Sequence, residues 1–160
     1  MTEEVSRFVE RFAGVLAEGG VPRMPARAFA ALLVSETGRL TAAELAEALQ
    51  VSPAAVSGAV RYLAQVGLIE RIREPGSRRD VYSLGTDPWY EAIYRREPLV
   101  GRWERALADG VAAVGADTPA GQRLHDSASF FAFLGDELPG LLARWRELGG
   151  PSGAPTSASQ

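Results

Sequence analysis

The sequence predicts a mostly α-helical chain with one small β-hairpin, an α+β class. Three observations predict it. Apolar residues recur at three- and four-residue spacing through most of the length, the signature of amphipathic helices. Helix start signals precede several of these runs: Thr41-Ala42-Ala43-Glu44 has the form of a capping box, and Ser52-Pro53 and Thr118-Pro119 set a capping hydroxyl before a proline. Between residues 68 and 84 the pattern changes to short β-rich runs around Pro75-Gly76-Ser77, which reads as two strands and a turn.

Taken in order, Val5, Phe8, Val9, Phe12 and Leu16 form one stripe and predict a helix over roughly 2–18, stopped by Gly19-Gly20. Pro25 suits the first turn of a second helix with Ala28, Phe29, Leu32 and Leu33 inside, and Gly38 ends it. The capping box opens a third, short helix with Leu45 and Leu49 buried. Ser52 caps a fourth, and Gly67 is placed for its left-handed end. Leu68–Arg73 and Asp80–Leu84 read as the hairpin strands, with Arg78 and Arg79 at the tip. Thr86-Asp87-Pro88 starts another helix, which Pro98 interrupts before Val100, Trp103, Leu107, Val111 and Val114 continue the stripe. Thr118-Pro119 starts a further helix with Leu124, Ala128, Phe131 and Leu134 on one face; Gly135-Asp136 is expected to break it, with Pro139 in the first turn of a last segment. From Gly149 the composition, GGPSGAPTSASQ, predicts a disordered tail over 149–160.

The fourth helix poses the functional question. At about 100° per residue, Val56, Ala59, Val60 and Leu63 share one face, and Ala54, Ser57, Gly58, Arg61 and Gln65 the other. The small residues therefore point outward, although Gly58 lowers helix propensity by about 1 kcal/mol relative to Ala. A slim outward face suits close approach to another surface.

Charge points to that surface. The whole chain carries −3, but residues 52–82 hold five arginines (61, 71, 73, 78, 79) against Glu70, Glu74 and Asp80, a net of +2 that leaves −5 elsewhere. A basic segment on an acidic body fits one DNA-facing surface; a solvated charged turn is the bland reading. All 17 basic residues are arginine, so arginine is the fixed cation for any phosphate contact. With no cysteine, disulfides and Cys-ligated zinc are excluded. His125 beside Asp126 is read as a surface or capping residue rather than a metal ligand. No nucleophile–base pairing and no phosphate loop suggests an enzyme, and no cofactor is expected. No apolar run approaches the ~20 residues of a membrane span, and the acidic, amphipathic N-terminus is unlike a secretory signal, so a cytoplasmic location is expected.

Helix, turn at Gln50-Val51-Ser52, helix and hairpin make a winged helix-turn-helix. In such a unit the second helix enters the major groove of double-stranded DNA. The candidate DNA-binding residues are Ser52, Ala54, Ser57, Gly58, Arg61, Tyr62 and Gln65 on the helix, and Arg78 and Arg79 on the wing. Ser57 can bond to bases or phosphate, and Arg61 can reach guanine or phosphate. The amides from Pro53 to Val56 are available to a phosphate, and the tip arginines suit a phosphate or narrow minor groove.

Residues 40–84, LTAAELAEALQVSPAAVSGAVRYLAQVGLIERIREPGSRRDVYSL, resemble the winged helix of MarR-type regulators, and are closest to the GbsR-like branch, whose wing commonly reads like Gly76-Ser77-Arg78-Arg79. The resemblance implies a two-fold symmetric dimer on a palindromic operator. The usual wing has Asp-x-Arg where this chain has Arg79-Asp80, so a salt bridge that orients the wing arginine cannot simply be carried over.

The domain reading follows: 24–86 as the winged helix-turn-helix, 1–23 and 87–148 as a helical dimerisation region. Phe8, Phe12, Phe130, Phe131, Leu141 and Trp145 exceed what the flanking helices can bury within one chain, which favours a homodimer over packing on each other. Trp89, Tyr90, Tyr94 and Trp103 read either as a core stripe or as the lining of a pocket for a small-molecule effector. The resulting expectation is a sequence-specific DNA-binding regulator, a repressor released by its effector. The alternative is a winged-helix protein-interaction module.

Overall fold

The structure is a computed structural model that describes residues 1–73 and 79–150. It is mostly helical with a small antiparallel β component, as the sequence predicts, and that component is a three-stranded sheet. The chain divides into two compact units, Met1–Trp89 and Tyr90–Gln160.

In the first unit, α1 (Glu3–Glu18) is capped by Thr2, whose hydroxyl accepts from Val5 N, and it packs on α2 (Arg23–Leu33). The capping box is present: Thr41 Oγ1 accepts from Glu44 N at 3.2 Å, and Glu44 Oε2 accepts from Thr41 N at 2.7 Å. It starts α3 (Ala42–Leu49), and α4 (Pro53–Gln65) follows. The core lies where α2, α3 and α4 meet: Phe29, Leu32, Leu45, Val56 and Leu63 are all fully buried. The Phe29 ring meets Trp89 edge-on, with centroids 5.0 Å apart.

The sheet has one more strand than the sequence suggests. β1 (Arg39–Thr41) pairs with β3 (Asp80–Ser83), which pairs in turn with β2 (Glu70–Arg73), so the order is β1-β3-β2. Three residues are too few to show alternation, and Thr41 already served as a helix cap, so β1 left no period-2 signal. Gly38 does not end α2, which stops at Leu33. With φ 64 it makes the turn into β1, and its carbonyl accepts from Leu84 N at 3.0 Å. Leu68 and Ile69 precede β2 and are buried. Gly67, at φ 79, has the left-handed conformation expected of it.

The chain passes through α5 (Pro88–Tyr94) to α6 (Glu97–Val114) and α7 (Pro119–Glu147), which pack on each other. Pro98 falls in the first turn of α6, consistent with the expected interruption. The expected break at Gly135-Asp136 is absent: α7 is one helix of 29 residues with Pro139 inside it. A proline there loses one backbone bond and opposes helix by about 3 kcal/mol. Packing on both sides of the proline overrides this. Leu138 and Leu142 are buried with Tyr90 in one cluster, and the Arg146 guanidinium lies 4.5 Å above the Tyr90 ring. The α6–α7 turn needs glycine at 121, where a Cβ would stand 2.0 Å from the Gly115 carbonyl oxygen. At the far end, Gly149 takes φ 88, and the Gly150 amide reaches the Trp145 carbonyl at 3.1 Å. These two glycines therefore form the α7 cap rather than the start of a tail. The remainder of the expected tail, 151–160, lies outside the described residues.

Candidate nucleic-acid interface

The turn before α4 is built on Gln50, in the left-handed conformation at φ 53 and ψ 49. Nothing in the local sequence marks it, because a non-glycine residue rarely adopts this conformation. The Gln50 and Val51 amides return to the carbonyls of Glu47 and Ala46. Ser52 then caps α4, its hydroxyl accepting from Ala55 N at 3.3 Å, with Pro53 at the first helical position. This corrects one expectation. The amides of Ala55 and Val56 already bond to the Ser52 carbonyl, at 3.1 and 3.3 Å, and Pro53 has none. Ala54 thus carries the amide of this first turn best placed for an outside acceptor.

The two faces of α4 separate as the spacing requires. Val56, Ala59, Val60 and Leu63 are buried, while Ser52, Ala54, Ser57, Gly58, Arg61 and Gln65 are exposed. Tyr62 is half-buried at the border. A Cβ built at Gly58 meets nothing within 4 Å, so no packing inside the chain requires glycine there. The slim outer face has no intramolecular explanation among the described residues.

The wing strands carry a charge cluster that the sequence reading missed. Asp80 accepts from Arg71 Nη2 at 2.5 Å and pairs with Arg73 Nε at 3.6 Å. The register causes this: Arg73 is directly opposite Asp80, and Arg71 lies two residues along on the same face. The hydrogen bond from Arg71 holds the Asp80 carboxyl below the ordinary range, and the same bond raises Arg71. Asp80 thus balances two β2 arginines. Arg79 is exposed, and its charge adds to the Thr41 hydrogen bonds that keep Glu44 below the ordinary carboxylate range. Arg78 lies outside the described residues.

These shifts fix a pH dependence. Both carboxyls have folded-state values below their unfolded ones, so their contribution to stability is complete above the unfolded pKa of about 4. It is lost as pH falls through the folded values. Unfolding free energy should decline between pH 5 and acid, and Asp80→Asn should flatten part of that decline. Denaturant titrations of both proteins across this range check it; parallel curves would contradict it.

The four aromatic candidates divide among three ring packings. Trp89 belongs to the first unit, against Phe29. In the second unit Tyr90 stacks on Tyr94 at 5.8 Å, and Trp103 meets Phe131 edge-on at 5.2 Å. Tyr90 is buried; Trp89, Tyr94 and Trp103 are about half exposed. His125 is exposed on α7, and no group of three metal-ligating side chains occurs among the described residues.

A short helix, a tight turn, a second helix with a free outer face and a two-stranded wing define a winged helix-turn-helix protein. Residues 19–80 match the MarR family, and residues 87–148 match the MmpR5-like MarR family transcriptional regulators. The chain is similar to the HTH-type transcriptional regulator MmpR5 of Mycobacterium tuberculosis (strain ATCC 25618 / H37Rv), at 30% identity over 147 residues, 90% of this chain and 88% of the relative. It is also similar to a solved structure described as a transcriptional regulator, at 26% identity and a TM-score of 0.81, covering 90% of this chain and 99% of that one. The chain belongs to the MarR family of transcriptional regulators. These relatives are regulators rather than enzymes, as the residues led us to expect. No helix among the described residues is long and apolar enough to cross a membrane.

Proposed function

We propose that this chain is a cytoplasmic, homodimeric repressor that binds a palindromic operator in double-stranded DNA and is released by a small-molecule effector. The single observation that carries DNA recognition is the outer face of α4: Ala54, Ser57, Gly58, Arg61 and Gln65 are exposed together, with open space over Gly58. Small side chains let the backbone approach the groove floor, Ser57 and Arg61 supply hydrogen bonds, and Tyr62 and Ser52 flank them. Arg79, with Arg78, supplies charge to the backbone or minor groove. The wing sequence Gly76-Ser77-Arg78-Arg79 supports a place near the GbsR-like branch, while the match over 87–148 is to the MmpR5-like group.

Dimerisation is supported by apolar faces that the chain leaves open. Phe8 on α1, Phe130, Phe133, Leu141 and Trp145 on α7, and Leu148 at its C-cap are all exposed. Large exposed apolar side chains, several of them on one helix, mark an interface. The working arrangement has residues 1–23 and 87–148 joining the protomers and 24–86 contacting DNA. Light scattering at micromolar concentration should give about twice the chain mass; a clean monomer would remove the basis for a palindromic site. The candidate effector residues of the second unit are Tyr90, Tyr94 and Trp103, whose rings pack as Tyr90 on Tyr94 and Trp103 on Phe131; Trp89, in the first unit, is the fourth candidate. Release needs only a ligand that favours a spacing of the recognition helices other than the roughly 34–36 Å of adjacent half-sites. Selection of bound fragments from the source genome tests operator recognition. Enrichment of one inverted repeat is the expected result, and no enrichment favours a protein-interaction module using the same face.

A further inference from the structure

Arg27 lies on α2, whose residues around it, Ala26, Ala28, Phe29, Ala30 and Ala31, are buried, and its own side chain is only 19% exposed. A guanidinium in such a place is costly unless its donors are used. They are used on three elements. Nε donates to the Glu10 carboxylate of α1 at 2.6 Å, Nη2 donates to the Leu49 carbonyl of α3 at 3.1 Å, and Nη1 faces the Met24 sulfur at 3.4 Å. Leu49 is the last residue of α3, so its carbonyl is one of those a helix leaves without an internal partner. A fixed cation there also meets the negative end of the helix dipole. The left-handed Gln50 comes next, and Ser52 caps α4 two residues later. The guanidinium therefore grips the peptide whose conformation sets the direction of α4, and the same group is held by α1.

We infer that Arg27 is a positioning residue for DNA recognition: it locks the helix-turn-helix turn to α1, so that the placement of α1 is passed to the recognition helix. This rests on the DNA-binding reading above. A lysine carries the charge but not the fork needed to hold Glu10 and Leu49 together. The Arg27 hydrogen bonds go to Glu10, Met24 and Leu49, not to the outward α4 residues.

The test uses the full chain as wild type, Arg27→Met, Arg27→Lys and Glu10→Gln, with the selected operator and a scrambled duplex, and hydrogen exchange without DNA. Arg27→Met should weaken operator binding about tenfold, equivalent to one charge-assisted hydrogen bond. Scrambled-duplex affinity and the salt slope should stay unchanged, because no phosphate contact is lost. Arg27→Lys should recover part of the loss. Glu10→Gln, which leaves the Leu49 contact in place, should give a smaller loss and carries the test if Arg27→Met does not fold. Amides of Gln50 and Val51 should exchange faster in Arg27→Met while those of Val60 and Leu63 do not. A lower melting temperature with an unchanged operator-to-scrambled ratio would overturn the inference. So would an equal loss on both duplexes with a shallower salt slope, which would make Arg27 a phosphate contact. If wild type binds no duplex, the DNA-binding reading fails separately, and unchanged exchange at Gln50 and Val51 would then overturn the clamp itself.

Discussion

Phe29→Ala should destabilise the first unit by about 3–5 kcal/mol, the usual cost of emptying a large core site. Phe29 is 1% exposed, and its ring is enclosed in the layer where α2 meets α4, with Trp89 edge-on at 5.0 Å. The substitution removes buried apolar area, leaves a cavity that the neighbouring helices can close only in part, and removes the aromatic contact. Domains are typically stable by about 5–15 kcal/mol, so this is a large fraction of the whole. Ser57→Ala, on the exposed face of α4, should stay within about 0.5 kcal/mol. Denaturant unfolding followed by circular dichroism compares the two. A loss under about 1 kcal/mol for Phe29→Ala would show that the core has been misassigned.

Arg61→Ala should leave stability nearly unchanged and cost about 1–3 kcal/mol of operator binding, with a lower ratio of operator to random-DNA affinity. Arg61 is exposed on the outer face of α4, one turn beyond Ser57. In the proposed docking, a side chain there would reach a base edge or the phosphates of the groove wall. Loss shared equally by operator and random DNA would make it a phosphate clamp only. Arg79→Ala, with Arg78→Ala, should by contrast weaken both DNAs alike and reduce the salt slope by about 2 per subunit.

Much of this was legible in the sequence because local signals agreed with the fold. Thr41 and Glu44 form the capping box they spell, Ser52-Pro53 starts α4, and the buried and exposed faces of α4 follow the helical period. What was not legible depends on contacts distant in sequence. The pairing of Arg71 with Asp80 comes from the hairpin register, and the hold of Arg27 on Leu49 spans 22 residues. The left-handed Gln50 is dictated by the junction of two helices, not by its own side chain. The continuity of α7 through Pro139 is a case of packing on Tyr90 outweighing local propensity.

The central claim is that the outer face of α4 reads base sequence while the wing reads charge. Fluorescence anisotropy of the wild-type chain with operator and scrambled duplexes, each at several salt concentrations, tests it most directly. Both affinities should fall as salt rises, with operator binding tighter throughout by at least about a thousandfold, the lower end for specific recognition. Equal affinity for the two duplexes, or binding to neither, would contradict it.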